Sequence, residues 1–535
     1  MSNQDPQSAN PSPSPSTGDA LAALAHQTYF ERGDWRAALM MWSAYEAANG
    51  PTLASRFAIT HCSIELADPS ALSSLTLGDP PDETGTSLEV YVHVVRSRAF
   101  QHLTAGDAAR AAQLTRLLAV VDPQLSRLYR TAFAAPEIGP PLTPPDDRGR
   151  EPLPFERERK LDDAAIGALL DGLRRRRVLL VTRRVLDFGK GVVEAELFRQ
   201  YHTSIRAAGL EPAILDAHTI APERRHLFPD QLRALMTDFQ PDIVFYDDFL
   251  ATGMSADPTL QPAILDILHT ARRERGVRLA ATYPDAWYDG MDAFVEAAVD
   301  LVDVFHIFHP GLLPRLSDAA RAKVFCYPHP STDPRRAPRP PSEVLERGCF
   351  IGGINWANMS RLAWWTEIAR SGLPIDLYPT MNYLERTPEQ YAHLVSRYAI
   401  TVSFTTRSNG KAVLTSRTVE AALYGAVVLD EYTDDTAYFM RPFEHYVPFA
   451  NFVELATRLQ QLILDRPLRQ EIARRGSAWV RHYFSGGQFW ARLYQRLYET
   501  DPSRLPPRSS GFAPVRLEVP TTSSALVDAV KALKR

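Results

Sequence analysis

The stretch Thr415-Ser416-Arg417-Thr418-Val419-Glu420-Ala421-Ala422-Leu423-Tyr424-Gly425-Ala426-Val427-Val428-Leu429-Asp430 combines a helix start, two charged side chains and an apolar run. Ser416 has the side chain of an N-cap, Arg417 to Tyr424 are helical in character, and Gly425 suits the left-handed residue that closes a helix. Ala426 to Leu429 then read as a buried strand. A helix start so placed offers free backbone N–H groups and the positive end of a dipole, which favour an anion such as a diphosphate. Arg417 adds a charge-assisted bond, and Glu420 can accept hydrogen bonds from ribose hydroxyls. A structural account is equally open, because a Glu in a helix's first turn complements the dipole without any ligand.

Upstream and downstream of this stretch, short apolar runs alternate with helical segments. The runs are Arg177 to Thr182, Pro212 to Asp216, Asp242 to Tyr246, Val277 to Thr282, Val302 to Phe308 and Lys323 to Tyr327. A second set comprises Cys349 to Ile351, Pro374 to Tyr378, Ile400 to Phe404, Ala426 to Leu429 and Tyr446 to Phe449. Such alternation predicts βαβ units and parallel sheets. The Pro-rich segment Pro334 to Pro341 separates the two sets, so the predicted class is α/β, with two doubly wound, Rossmann-like halves facing across a cleft.

An all-α region precedes them. Tyr29-Phe30-Glu31-Arg32-Gly33-Asp34-Trp35-Arg36-Ala37-Ala38-Leu39 resembles the turn and paired small residues of a tetratricopeptide repeat, with a weaker echo around Gly106-Asp107-Ala108-Ala109. A generic helical bundle is the alternative. The predicted organisation is a polar Ser- and Pro-rich tail over 1–19, a helical domain over 20–134 and a Pro-rich linker over 135–154. The two α/β halves follow over 155–333 and 348–500, joined by a linker over 334–347, with a C-terminal tail over 501–535.

The chain has 535 residues, 45% of them hydrophobic, enough for about three domains. Its net charge of −4 gives no electrostatic reason to bind nucleic acid. Cys62, Cys326 and Cys349 are isolated, without metal-ligand or disulfide spacing, and read as buried thiols. The tail lacks the basic start and apolar core of a signal peptide, and no run of about 18 apolar residues occurs. A cytoplasmic, bacterial-type protein is expected.

From about Arg177 to Leu497 the chain resembles the group 1 glycosyltransferases of the GT-B type, most closely the spore-maturation subgroup. Cys349-Phe350-Ile351-Gly352-Gly353, Arg417 to Ala426 and the closing helices around Leu468 to Tyr483 carry the resemblance. It implies transfer of a sugar from a nucleotide diphosphate donor, with Glu420 at the donor's ribose and basic residues at its diphosphate. Many retaining members carry a second glutamate eight positions earlier, where this chain has Ala412. The other readings are a GT-B-shaped binding or scaffold protein without catalysis, and a nucleotide-sugar epimerase.

The donor-side candidates are Glu420, Arg417, Thr418, Lys411, Asn409, Arg361, Gly353 and Tyr378. Arg361, Lys411 and Arg417 are the candidates for the diphosphate, whose charge grows as it leaves. On the other side of the cleft, Gly189, Lys190 and Gly191 form a glycine loop after the first strand. Asp285 and His309 are the candidate catalytic residues among titratable groups near strand ends, which include His306 and His329. No D-x-D triplet occurs, so a helix dipole and basic side chains are expected to replace an essential metal, and no cofactor is expected. The helical domain suggests a protein acceptor or partner.

Overall fold

The computed structural model describes residues 24–25, 27–29, 34–66, 86–134, 142, 153, 161–187, 192–194, 196–216, 226–247, 259–283, 290–330, 344–353, 359–380, 388–407 and 411–499. Both predicted tails and most of both predicted linkers lie outside the described residues. The chain forms two compact units. One is helical: α1 (Trp35–Asn49), α2 (Leu53–Glu65), α3 (Thr86–Thr104), α4 (Ala108–Val121), α5 (Pro123–Thr131) and, from far along the chain, α12 (Met359–Ser371). The two Gly-Asp echoes start helices in the same way. Asp34 accepts from the Ala37 N–H at 3.0 Å and Asp107 from the Arg110 N–H at 3.0 Å, each satisfying a donor that the helix start leaves open. Helix α1 packs on α2 and α3 on α4, while α12 lies on α4 and α5 with Trp364 and Trp365 fully buried.

Two buried carboxylates of this unit are met by charged neighbours. Glu65 accepts from Arg98 Nε at 2.7 Å and Nη2 at 2.8 Å, and meets His61 Nε2 at 3.3 Å and His102 Nε2 at 3.0 Å. Those partners hold its carboxyl well below the usual carboxylate range despite burial. In α12, buried Glu367 takes Arg116 at 2.9 Å and Arg370 at 2.8 Å.

The other unit contains two parallel sheets, so the expected α/β architecture with a helical N-terminal region is present. The first sheet has the order β4-β1-β5-β6-β7-β8, built from β1 (Val178–Thr182), β4 (Ala213–Asp216), β5 (Ile243–Asp247), β6 (Arg278–Thr282), β7 (Val304–Ile307) and β8 (Val324–Cys326). Its strands alternate with α6 (Asp163–Arg174), α7 (Glu196–Ala207), α8 (Phe228–Asp238), α9 (Gln261–Arg275), α10 (Met291–Ala298) and α11 (Asp318–Lys323). A short antiparallel hairpin, β2 (Val185–Asp187) with β3 (Val192–Glu194), was absent from the sequence expectation. Each of its strands is only three residues long, too short to show a period.

The second sheet has the order β10-β9-β11-β12-β13, from β9 (Leu345–Gly353), β10 (Ile375–Thr380), β11 (Tyr398–Ser403), β12 (Val427–Glu431) and β13 (Val447–Phe449). Its remaining helices are α13 (Pro388–Val395), α14 (Ser416–Leu423), α15 (Asp434–Phe439), α16 (Phe452–Leu464), α17 (Arg466–Tyr483) and α18 (Gly486–Glu499). Strand β9 starts at Leu345, earlier than the expected run, because Leu345 donates to the Arg397 carbonyl at 2.7 Å beside β11. Strands β11 and β12 are buried throughout, which accounts for continuous apolar runs in place of alternation. The last of the described helices, α18, packs on α6 and α7 beside the first sheet, where Trp490 Nε1 donates to Ser204 Oγ at 2.8 Å.

Candidate functional site

In the second sheet β9 lies between β10 and β11, so the order reverses there, and the connections leaving β9 and β11 diverge. Open α/β sheets bind ligands in the crevice outside the carboxyl ends of such strands. Here those ends are Gly353 and Ser403. The expected helix starts beyond β11, with one correction. Thr415, with extended backbone, is the N-cap and Ser416 is the first helical residue. The Thr415 hydroxyl makes no cap bond; it meets Ser403 Oγ at 3.1 Å and Thr418 Oγ1 at 3.3 Å. The C-terminus closes as expected. Gly425 has φ +80°, its N–H bonds the Ala422 carbonyl, and the Ala426 N–H bonds the Ala421 carbonyl.

Arg417 reaches from the first turn of α14 to the end of β9. Its Nε donates to the Ile351 carbonyl at 2.8 Å and its guanidinium lies 4.6 Å from the Phe350 ring centroid. Gly352 leaves room for it: a Cβ there would stand 2.8 Å from Arg417 Nη2 and 2.9 Å from the Phe350 ring, and would make the guanidinium or the ring move. Among the described residues, Arg417 Nη1 is buried without a hydrogen-bond partner. A buried cationic donor left unsatisfied costs free energy that an anion in the crevice would recover.

Glu420 lies in the second turn of α14, one turn past the free N–H groups, and is buried. This position weakens the account of Glu420 as a dipole-complementing residue, since that effect falls off beyond the first turn. Its neighbour is Tyr391 of α13, whose hydroxyl is pushed well above its ordinary range by burial and by the Glu420 charge. Sequence reasoning missed Tyr391, which no local pattern connects to Glu420.

The other candidates divide. Thr418 faces inward, its Oγ1 donating to Asp430 Oδ2 at 3.3 Å, so its side chain is committed to the interior of the sheet. Lys411 is half-buried on a loop closed by a bridge between Thr406 and Ala412, and its carbonyl accepts from the Arg407 N–H at 2.8 Å. Glu431, another residue the sequence reading missed, fixes that loop. It accepts from the Thr405 and Thr406 N–H groups at 2.8 and 2.9 Å and from Thr406 Oγ1 at 2.8 Å. Gly353 ends β9 opposite Thr380, and the Tyr378 hydroxyl pairs with that of Tyr398 at 2.5 Å, which in turn donates to Asp376 at 2.7 Å. Arg361 is buried in α12 and belongs to the helical unit, not to the unit that holds Arg417 and Glu420. Asn409, Asp285, Gly189, Lys190 and Gly191 lie outside the described residues.

His309 follows β7 and is buried against α15, its Nδ1 3.1 Å from Asp435 Oδ2, while Asp435 Oδ1 accepts from the Gly311 N–H at 2.8 Å. Asp435 therefore ties the two sheet regions of this unit together. His306 is a structural residue: Nε2 donates to the Tyr327 carbonyl at 2.8 Å, Nδ1 meets Thr282 Oγ1 at 2.9 Å, and burial lowers its pKa to about 4.

Residues 356–495 match the family described as glycosyl transferase-like. That span holds α14, Arg417, Glu420 and the Lys411 loop. The chain is also similar in structure to Anabaena HepE in complex with UDP and glucose, at 10% identity and a TM-score of 0.42, covering 61% of this chain and 100% of that one. Sucrose-phosphate synthase from Thermosynechococcus elongatus is similar at 12% identity and a TM-score of 0.43, with 61% and 100% covered. A putative UDP-N-acetylglucosamine 2-epimerase from Listeria monocytogenes has 11% identity, a TM-score of 0.35 and coverage of 61% and 98%. No curated protein matches the chain in sequence. Among the described residues no helix is long and apolar enough to cross a membrane.

Proposed function

We propose that this protein is a GT-B glycosyltransferase, of the kind typified by spore-maturation enzymes, that moves a hexosyl group from a nucleoside-diphosphate sugar to an acceptor. The observation that carries the reading is Arg417: a half-buried side chain at the sheet's switch point whose buried Nη1 has no partner among the described residues, inside the segment that matches the glycosyl transferase-like family. In this reading Arg417 and Lys411 meet the diphosphate as it leaves, and Glu420 receives the ribose hydroxyls. Gly353 lets the donor approach β9, and His309 with Asp435 stands on the acceptor side. Charge on the leaving group is met by the helix start and these side chains, so turnover should survive chelation by EDTA; loss on chelation and recovery with a divalent ion would refute metal independence.

The helical unit is proposed, as a tetratricopeptide-like layer, to receive a protein acceptor or the partner that delivers one, within the cytoplasm of a bacterium. The rival reading, a binding protein without catalysis, draws on Ala412, which sits in the bridge with Thr406 and offers no carboxylate. Two measurements separate the readings. A thermal-shift screen with UDP, GDP, ADP and dTDP should stabilise the fold by about 2.7 kcal/mol at a hundredfold excess over Kd for the right nucleotide. No response to any of them rejects the donor site; a response without hydrolysis or transfer of any matching nucleotide sugar favours the binding protein.

A further inference from the structure

Strand β12 is Val-Val-Leu and then abruptly Asp430, whose side chain has no exposure in a sheet flanked by β11 and β13. An apolar residue is the default there, and a buried carboxylate costs several kcal/mol unless it is well paired. Its pairing is selective. Asp430 Oδ2 accepts from Thr418 Oγ1 at 3.3 Å and from Thr436 Oγ1 at 3.1 Å. Thr418 belongs to the first turn of α14, between Arg417 and Glu420; Thr436 follows Asp435, which holds His309 and the Gly311 N–H.

We propose that Asp430 is a positioning residue of the donor site, one buried carboxyl group that sets the first turns of α14 and α15 relative to each other through Thr418 and Thr436. The inference rests on the donor-site reading above. Each residue of a helix turns the next by about 100°, so a small rotation of α14 swings Glu420 and strains the Arg417 contacts to Ile351 and Phe350. A displacement of about 1 Å at a remote support is enough to cost about a hundredfold in rate. The groups around Asp430 are consistent with this role. Burial pushes its pKa up to about 7, the hydroxyls of Ser403, Thr436 and Thr418 favour the ionised form, and Glu431 on the same strand opposes it. Tyr446, preceding β13, is buried near the same charge.

The test compares Asp430→Ala, Asp430→Asn, Thr436→Val and the Asp430→Ala/Thr436→Val double variant of the full chain. UDP affinity is measured by calorimetry and amide hydrogen exchange is followed at 415–420 and 433–437. Asp430→Ala should weaken UDP binding about tenfold, Asp430→Asn should restore most of it by keeping an acceptor oxygen, and the Thr436→Val loss should not add to that of Asp430→Ala. Exchange should accelerate at both turns in Asp430→Ala and return towards wild type in Asp430→Asn. Wild-type affinity in Asp430→Ala, additive losses, or an exchange increase spread evenly over the fold would each overturn the proposal. If the wild-type protein binds none of UDP, GDP, ADP and dTDP, the donor reading fails by itself, and the exchange pattern still decides whether Asp430 couples the two turns.

Discussion

Two charged side chains, Glu65 in the helical unit and Arg417 in the sheet unit, are treated in opposite ways. In the helical unit Glu65 receives two bonds from Arg98 and one contact each from His61 and His102, so the charge is matched inside the unit. In the sheet unit Arg417 has one carbonyl and one aromatic face, and its buried Nη1 has no partner among the described residues. A closed network serves packing and uniqueness of the core, whereas an open one keeps binding capacity in reserve. The difference separates two readings that look alike in sequence, where both are simply acidic or basic residues on helices.

Breaking the closed network should give the largest effect on folding. Glu65→Ala leaves Arg98 and two histidines facing a buried gap, and should destabilise the helical unit by about 3–5 kcal/mol, read from urea unfolding followed by far-UV circular dichroism. The same network predicts acid sensitivity. Glu65 has a depressed pKa when folded, so its contribution is complete above the ordinary carboxylate value and is lost as pH falls through the folded one. Unfolding at pH 3 that does not respond to Glu65→Gln would contradict this.

Breaking the open site should disturb folding less and remove function. Arg417→Ala should lower the rate of donor turnover on the order of a hundredfold with a Tm loss well below that of Glu65→Ala, since the fold loses only the Nε bond to the Ile351 carbonyl and the contact with the Phe350 ring. A Tm loss as large as that of Glu65→Ala would place Arg417 among structural residues. Glu420→Gln should act more mildly, weakening donor binding about tenfold, because an amide keeps the size but forfeits the charge that strengthens bonds to hydroxyls. Unchanged affinity in a folded Glu420→Gln protein would remove the ribose assignment.

The smallest of these effects sharpens the comparison through pH. Asp430 has a folded pKa raised to about 7, the reverse of Glu65. Its neutral form stabilises the fold below the ordinary carboxylate pKa, and that contribution is progressively lost as pH rises towards the folded value. Stability of the wild-type protein should therefore fall between about pH 4 and pH 7 relative to Asp430→Asn and level off above, by denaturant titration at each pH. A parallel course for the two proteins would show that Asp430 does not titrate in this range.

The parts of this architecture that were legible in sequence are those that local chemistry dictates. The apolar runs mark the parallel strands because buried strands need no alternation, and Gly425 marks the helix end because its φ must be positive. The Gly-Asp pairs were legible as turns, whereas capping by Asp34 and Asp107 came only with the structure. What stayed hidden depends on contacts between distant residues: Tyr391 beside Glu420, Glu431 under the Thr405 and Thr406 N–H groups, and Asp430 between two threonines. Thr418 shows the limit from the other side. Its place in the helix's first turn suggested a ligand contact, but its side chain faces the sheet, which register and not residue type decides.

Helix α12 has a consequence for how the chain is made. It stands between β9 and β10 in sequence, yet it closes the helical unit over Trp364 and Trp365. During synthesis the first helices therefore emerge well before the element that completes their core, and they wait with an apolar face uncovered while the whole first sheet is translated. Residues 20–134 expressed alone should accumulate as an aggregation-prone or loosely packed species, and supplying Met359–Leu373 on the same polypeptide, through a flexible tether, should recover a cooperative fold.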